Sequence, residues 1–195
     1  MLFIYMNTLL DYRNWCLSQK YPIKYDEALN YICQTINQRQ YRYMLEIGTC
    51  VAYSTLYFSQ NSLINHIESL ERDLDRHLIA RENVLLFNDK KIKLIYEDGL
   101  NYYPNKKYDL MLFDAAKAQN QAFLDHYLPY LNTNGIIFID NIYFHDLKID
   151  DDNVSLKTKS LIKKLHNFVE NIQKDTRFNV KILSLGDGLM TIEHK

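Results

Sequence analysis

The sequence predicts a doubly wound α/β fold with a seven-stranded, mostly parallel sheet that ends in an antiparallel hairpin. Three observations predict it. Short apolar segments alternate with segments of helical length along most of the chain. Two of these segments, 108–113 and 136–139, are apolar almost throughout, as parallel strands covered on both faces are. Near the end, Gly186-Asp187-Gly188 separates two strand-like segments, which is typical of a hairpin turn.

Each element follows from its local pattern. Helices are predicted at 7–18, 25–38, 52–60, 73–86, 119–131 and 155–174. Strands are predicted at 44–48, 64–70, 92–96, 108–113, 136–139, 180–183 and 189–193. Asp73 suits the N-cap of its helix. The segment Asn132-Thr133-Asn134-Gly135 is predicted to be a turn that stops the helix before it.

Composition narrows the class of protein. The 195 residues are enough for one domain with a full core. A net charge of −1 predicts no polyanion partner from overall charge, although local patches can still bind phosphate. The cysteines Cys16, Cys33 and Cys50 are odd in number and too widely spaced for a CxxC motif, which fits a reducing compartment. The short apolar start lacks the features of a signal peptide, and no apolar run approaches the ~20 residues that span a bilayer. We therefore expect a cytoplasmic protein with no membrane partner.

Ligands of open α/β sheets bind beyond the C-terminal ends of the strands. The first strand leads to Gly48, where a ligand could approach the backbone closely, although an ordinary strand-to-helix turn fits equally well. Glu71 ends the second strand 23 residues after Gly48 and could accept both ribose hydroxyls of an adenosine; a solvated charge cluster is the alternative. Asp98, followed by Gly99, could accept from an adenine amino group, but Asp-Gly is also a common turn pair.

The fourth and fifth strands end in the most specific residues. Asp114 follows one strand, and Asp140-Asn141 follows the other. Because parallel strands end on the same side of a sheet, these side chains could offer three oxygen ligands to one point. Such a set suits Mg²⁺ or another hard divalent cation. Lys117 lies three residues beyond Asp114 and could act as a general base on a bound hydroxyl. The alternative is that the acids cap turns and Lys117 is solvated.

These residues carry a resemblance to a known family. The segments Asp114-Ala115-Ala116-Lys117 and Asp140-Asn141, with Glu46-Ile47-Gly48-Thr49 and Gly186-Asp187-Gly188-Leu189, resemble cation-dependent O-methyltransferases such as the catechol and caffeoyl-coenzyme A enzymes. A closer likeness is to their bacterial branch, which methylates 5-hydroxyuridine at the wobble position of tRNA to 5-methoxyuridine. The resemblance covers nearly the whole chain. It implies a Rossmann-like class I methyltransferase fold in one domain, 1–195, with N-terminal helices in 1–40 and a catalytic core in 41–195.

The resemblance also implies roles for individual residues. Those that it assigns to binding of the cofactor S-adenosylmethionine (SAM) are Lys24, Glu46, Gly48, Ser54, Glu71, Asp98, Gly99 and Asp114. Those that match the ligands of Mg²⁺ or another divalent cation are Asp114, Asp140 and Asn141. Lys117 matches the lysine that takes the hydroxyl proton. Ala52 stands where the family usually has a second glycine, so the turn could be tighter or the cofactor shifted. We also expect a homodimer.

The sequence indicates the type of reaction more clearly than it indicates the methyl acceptor. A helix at 155–174 is rich in basic residues, which could bind the phosphates of a tRNA anticodon stem-loop; a solvated face is the alternative. These residues are Lys157, Lys159, Lys163, Lys164 and Lys174, followed by Arg177, and Arg72, Arg76 and Arg81 could add to them. A small-molecule hydroxyl of the catechol type is a second possible substrate. A third alternative, a non-catalytic nucleotide- or RNA-binding protein, is favoured only by Ala52.

Overall fold

The computed structural model describes residues 8–143 and 154–195. The chain divides into two compact units, one up to Tyr102 and the other from Tyr103 onward. The expected organisation as a single domain stays a prediction. In the two described ranges, no helix combines the length and the apolar composition needed to cross a bilayer.

The first unit contains three parallel strands in the order β3-β2-β1. Its elements are α1 (Leu9–Ser18), α2 (Asp26–Arg39), β1 (Tyr43–Ile47), α3 (Tyr53–Asn61), β2 (His66–Glu71), α4 (Leu74–Leu86) and β3 (Ile92–Tyr96). Thr8 caps α1 by accepting from the backbone N–H of Asp11 at 3.1 Å. Asp73 caps α4 by accepting from the N–H of Arg76 at 3.0 Å, as predicted from its side chain.

The second unit contains four strands in the order β4-β5-β7-β6. Its elements are β4 (Tyr108–Phe113), α5 (Asn120–Tyr127), β5 (Leu131–Ile139), α6 (Leu156–Lys174), β6 (Phe178–Leu183) and β7 (Leu189–His194), with short 3₁₀ segments at Lys117–Gln119 and Leu128–Tyr130. β4 and β5 are parallel, whereas β7 is antiparallel to both β5 and β6. The predicted α/β class with seven strands and a C-terminal antiparallel hairpin is therefore confirmed.

The junction between α5 and β5 differs from the prediction. The helix expected at 119–131 ends at Tyr127 and continues only as a 3₁₀ segment, because Pro129 has no N–H to donate within a helix. The turn predicted at 132–135 is wrong, since these residues lie inside β5. Tyr108 pairs with Leu131 and Leu110 with Ile136, so 132–135 form an irregular insertion in the strand. The Asn132 amide donates to Asp109 Oδ1 at 2.6 Å and holds this insertion against β4.

Burial follows the apolar patterns that predicted the strands. In the second unit, the side chains of residues 110–113 and 137–139 are fully buried. The buried positions of α6 recur at helical spacing, at Ile162, Leu165, Phe168 and Ile172, so the opposite face of that helix carries its lysines. The sheet residues thus form the core, and the polar side chains that follow β1, β2, β4 and β5 are left at the strand ends.

Candidate active site

The turn between β1 and α3 is built from residues with left-handed backbone. Gly48 has a φ of 104°, Cys50 of 51° and Ala52 of 70°. The N–H groups of Gly48 and Thr49 both donate to the carbonyl of Leu70, at 2.9 and 3.0 Å, and tie the turn to β2. Ala52, at the N-cap of α3, adopts a backbone conformation that glycine would take without cost and that costs other residues about 1–2 kcal/mol. The turn is therefore formed with alanine, under local strain.

Glu46 is the centre of a buried hydrogen-bond network beneath this turn. Its side chain is fully buried and accepts from the hydroxyls of Ser54 at 2.6 Å, Ser69 at 2.6 Å and Thr55 at 2.5 Å. Burial raises the pKa of Glu46, while the three hydroxyl donors and the charge of Lys24 act in the opposite direction. The network joins the start of α3 and the strand β2 to the end of β1.

Three residues assigned to cofactor binding, Lys24, Glu46 and Ser54, are therefore brought together. Thr55 and Ser69, which complete the network, were not predicted from the sequence. Ser69 reaches Glu46 as its register partner in β2, and no local signal in the sequence around it indicates this contact.

Glu71 is held at the same turn, as its position at the end of β2 predicts. Its side chain is buried, and it accepts from the N–H of Cys50 through Oε2 at 2.8 Å and from the N–H of Asp73 through Oε1 at 2.9 Å. Each carboxylate oxygen can accept a further hydrogen bond. The carboxylate thus has the acceptor capacity that two ribose hydroxyls require.

The segment after β3 forms the turn that its Asp-Gly pair indicates. Asp98 Oδ1 accepts from the N–H of Leu100 at 3.0 Å, and Arg72 Nη1 lies 3.3 Å from Asp98 Oδ2. The N–H of Glu97 donates to the carbonyl of Glu71 at 3.1 Å, so this turn is attached to the end of β2. Contact of Asp98 and Gly99 with an adenine stays a prediction.

In the second unit, β4 and β5 bring the predicted reaction centre together. Phe113 and Ile139 are register partners, and the N–H of Asp140 donates to the carbonyl of Phe113 at 3.2 Å. Asp114 and Asp140 therefore follow neighbouring strands at the same level. Lys117 Nζ donates to Asp114 Oδ1 at 2.9 Å.

Asn141 completes this centre from a left-handed backbone position, with a φ of 58°. With its amide nitrogen turned toward Asp140, it donates to Asp140 Oδ2 at 2.6 Å and approaches Oδ1 at 3.3 Å. Both carboxylates of the centre thus face positive or hydrogen-donating groups from residues close to them in sequence.

The hairpin turn between β6 and β7 supports the segment that follows Asn141. The N–H of Ile142 donates to the carbonyl of Gly188 at 3.1 Å, and that of Tyr143 to the carbonyl of Asp187 at 3.0 Å. Gly188 has a φ of +83°, and a Cβ at this position would lie 2.8 Å from side-chain atoms of Ile142 and Tyr143. Only glycine allows this close approach, so the hairpin helps to position the metal-ligand candidates.

The donor set at the centre fits a hard divalent cation. Asp114 and Asp140 supply carboxylate oxygens, and an Asn141 amide that rotates by about 180° exchanges its N–H for an oxygen. Within residues 8–143 and 154–195, no group of three or more His, Cys, Asp and Glu side chains is gathered as for a metal. The amide oxygen of Asn141 is the candidate third protein ligand, and the binding of a cation by these three residues stays a prediction.

Comparison with known proteins identifies the family of the chain. A family model described as O-methyltransferase matches residues 14–195. The chain belongs to the O-methyltransferase family. The expected SAM-dependent O-methyltransferase family of the caffeoyl-coenzyme A type is therefore confirmed, whereas the tRNA branch of the resemblance is a finer assignment that this match does not reach.

Individual relatives of this O-methyltransferase agree with that assignment. It is 31% identical over 181 residues to the tapetum-specific methyltransferase 1 of Arabidopsis thaliana, with 86% of this chain and 75% of that protein covered. A Staphylococcus aureus protein provisionally named a caffeoyl-CoA O-methyltransferase is 27% identical, with a TM-score of 0.87 over 96% of this chain and 92% of that chain. The SAH-bound methyltransferase PaMTH1 of Podospora anserina shares the fold, at 22% identity and a TM-score of 0.84 over 97% of this chain and 88% of that chain.

Proposed function

We propose that this O-methyltransferase uses SAM and a divalent cation, Mg²⁺ or a similar ion, to methylate 5-hydroxyuridine at the wobble position of tRNA, giving 5-methoxyuridine. The observation that carries the chemistry is the group of Asp114, Lys117, Asp140 and Asn141 at two neighbouring strand ends. Support for SAM comes from membership of the family and from the turn at Gly48, whose backbone and Glu71 carboxylate suit an adenosine.

The residues of the centre would have different roles in the reaction. A cation held by Asp114, Asp140 and Asn141 would supply the Lewis acidity that favours ionisation of a hydroxyl. Lys117 Nζ would accept the hydroxyl proton as a neutral amine, after its ammonium, which now pairs with Asp114 at 2.9 Å, has separated from that carboxylate and released one proton to solvent. Transfer of the SAM methyl group would then give a methyl ether and SAH. Holding the two reactants in line can supply ~7–11 kcal/mol in favourable systems.

Support for a tRNA substrate comes from the exposed face of α6. Lys157, Lys163 and Lys164 are exposed, and no carboxylate of the described ranges forms an ion pair with them. Lys174 instead lies 3.7 Å from Glu170, and Arg177 lies 2.6 Å from Asp175, so these two charges are partly neutralised. The lysine ammonium groups that have no carboxylate partner in the described ranges are thus concentrated in the first half of α6, where phosphates could bind.

A small-molecule hydroxyl of the catechol type is the second candidate substrate. It is favoured by the provisional name of the Staphylococcus aureus relative, a caffeoyl-CoA O-methyltransferase. This candidate uses the same centre and needs no basic helix. A non-catalytic role was favoured only by the presence of Ala52 in place of a glycine. Ala52 adopts the left-handed backbone at the turn, so this feature no longer favours that role.

Nucleoside analysis of tRNA tests the acceptor directly. Digested tRNA from cells that lack the protein should accumulate 5-hydroxyuridine and lose 5-methoxyuridine in mass spectrometry, and the unaltered gene should restore the modification. Unchanged 5-methoxyuridine, together with efficient turnover of a free catechol by the purified enzyme, would favour the second candidate.

Binding of an anticodon stem-loop tests the role of α6. Lys163→Ala with Lys164→Ala should weaken binding about 3–10-fold and reduce the slope of log K against log salt by about 1.4–1.8. The matched control is Lys90→Ala with Lys107→Ala, which removes the same charge from exposed positions outside α6. Equal losses in both double variants would contradict a specific role for this helix.

A further inference from the structure

A single backbone carbonyl in the turn after β1 receives side chains from two distant helices. The hydroxyl of Tyr12, in α1, donates to the carbonyl of Val51. Asn83, in α4, donates through Nδ2 to the Tyr12 hydroxyl at 2.7 Å and to the Val51 carbonyl at 3.4 Å. Tyr12 and Asn83 are 71 residues apart in sequence. Their exposed fractions are 0% and 3%, and that of Val51 is 1%, so this contact is sealed from water.

The position of this carbonyl in the turn gives the contact its importance. Val51 lies between Cys50 and Ala52, whose φ values are 51° and 70°. Residues with a Cβ disfavour this region of backbone space, so the turn would relax if nothing held it. A carbonyl that rotated away from Tyr12 would leave a buried acceptor without its hydrogen bonds, which is costly. The two side chains therefore favour one orientation of the strained turn.

The same turn controls a residue of the candidate cofactor site. The N–H of Cys50, next to Val51, donates to Glu71 Oε2 at 2.8 Å. A change in backbone direction at residues 50–52 would remove this donor and alter the orientation of the Glu71 carboxylate. The hydrogen bonds of Tyr12 are thereby connected to the position at which a ribose is expected.

The Tyr12 side chain is itself firmly placed. Its ring lies 5.7 Å from that of Trp15, 6.1 Å from that of Tyr53 and 5.8 Å from that of Phe87, measured between centroids. Burial raises the pKa of the Tyr12 hydroxyl above its ordinary value, so the group remains a proton donor throughout the physiological range. Packing in this aromatic cluster positions the ring of Tyr12, and the ring in turn positions the Tyr12 hydroxyl at the carbonyl of Val51.

We propose that Tyr12 and Asn83 are positioning residues that hold the strained turn at residues 50–52 in the conformation that binds SAM. This inference rests on the proposed function, since it takes SAM as the ligand of the turn. Neither side chain needs to touch the cofactor. Their contribution is to keep the binding conformation populated before the cofactor arrives, which raises apparent affinity.

Calorimetric titration of the full-length protein with SAM tests this role. Tyr12→Phe, which keeps the ring and removes the hydroxyl, should raise the Kd for SAM about tenfold. It should raise the KM for SAM by a larger factor than it lowers kcat. Ala52→Gly in the Tyr12→Phe background should recover at least half of that loss on a logarithmic scale, because glycine holds a positive φ without strain.

Tyr41→Phe is the matched control. Tyr41 is also buried in the first unit, and its hydroxyl accepts from Arg39 Nη1 at 3.1 Å. Its loss should lower the thermal midpoint and leave the Kd for SAM unchanged. A Kd for Tyr12→Phe within twofold of the unaltered protein, or an equal change in Tyr41→Phe, would overturn the inference.

A second variant covers the case in which Tyr12→Phe does not fold. Asn83→Ala removes the other donor and should raise the Kd for SAM severalfold; an unchanged Kd would count against the inference in the same way. Failure of the unaltered protein to bind SAM would instead contradict the proposed function, so the two failures are distinguishable.

Discussion

In the turn after β1, the Glu46 carboxylate accepts from three hydroxyls, whereas beyond β4 the Asp114 carboxylate faces the ammonium of Lys117 at 2.9 Å. Glu46 is fully buried, but the side chains of Asp114 and Lys117 are 29% and 12% exposed. The first carboxylate is enclosed by neutral donors that come from α3 and β2. The carboxylate of Asp114 is more exposed than that of Glu46. Its partner is an ammonium at the end of the long side chain of Lys117.

The difference teaches what each of the two regions can contribute. A buried carboxylate that is satisfied by hydroxyls has a fixed geometry, and this suits a scaffold for binding. The side chain of Asp114 is 29% exposed, so a cation could reach this carboxylate and replace the ammonium of Lys117. Substitutions in the turn are therefore expected to lower mainly the stability of the fold. Substitutions in the centre are expected to lower mainly the rate of methyl transfer.

Removal of a metal-ligand candidate should have the largest effect. Asp140→Ala is expected to lower metal-dependent methyl transfer by about a thousandfold or more, because it removes one of the two carboxylates available to bind and orient the cation. The measurement is SAM-dependent methylation with and without a chelator. Asp109→Ala is the matched control, since Asp109 is a carboxylate in β4 that binds Asn132. Full activity of Asp140→Ala in the presence of chelator would refute the metal centre.

Substitution of the proton acceptor should come next. Lys117→Met is expected to lower kcat by about 10²–10⁴, the usual contribution of a general base. Lys117→Arg keeps the positive charge beside Asp114, but a guanidinium does not release its proton in proteins. In single-turnover assays, Lys117→Arg should therefore be nearly as inactive as Lys117→Met. Near-normal activity of Lys117→Arg would show that Lys117 acts only as an ion-pair partner.

A change in the hairpin tests whether the centre also needs a scaffold. Gly188→Ala should lower the free energy of unfolding by about 1–3 kcal/mol, because the new methyl group would overlap Ile142 and Tyr143. Since the displaced segment follows Asn141, kcat should fall while the Kd for SAM stays nearly constant. Urea unfolding and steady-state kinetics provide the two measurements. A free energy of unfolding within about 0.5 kcal/mol of the unaltered protein would contradict this packing argument.

The smallest effect is expected from Glu46→Gln, through the pH dependence of stability. Burial raises the pKa of Glu46 above its ordinary value of 4.5. The protonated form is therefore the one that stabilises the fold, and its contribution is lost as the pH rises from 4.5 through the raised pKa. Glutamine does not titrate, so the stability of Glu46→Gln relative to the unaltered protein should increase over that window, by at most about 1.4 kcal/mol per pH unit. Urea unfolding at several pH values measures this difference, and a flat profile would contradict it.

The strand ends were predictable from the sequence because apolar runs define strands and the polar residues after them must lie at the sheet edge. Asp114 and Asp140 follow neighbouring ends of β4 and β5, as predicted. Glu71 lies beside the glycine turn, also as predicted. In each case, the strand and the residue that follows it are local features of the sequence.

The supporting residues were not predictable in the same way. Ser69 reaches Glu46 because the two are register partners in β2 and β1, and no local pattern determines that register. The pairing of Tyr12 with Asn83 depends on how α1 and α4 pack around one turn. The extension of β5 back to Leu131 depends on pairing with Tyr108, which overrides the turn signal of the sequence between them.

The two backbone N–H groups that bind Glu71 also restrict which residue can stand at that position. Glutamine has nearly the same size as glutamate, but one of its two terminal atoms is a donor. That donor would face the N–H of either Cys50 or Asp73, each of which now donates to a separate carboxylate oxygen. Position 71 therefore distinguishes an acid from its amide before any ligand is present. A bound hydroxyl would find the side chain already confined to one rotamer, which saves an ordering cost of about 0.5–1.5 kcal/mol on binding.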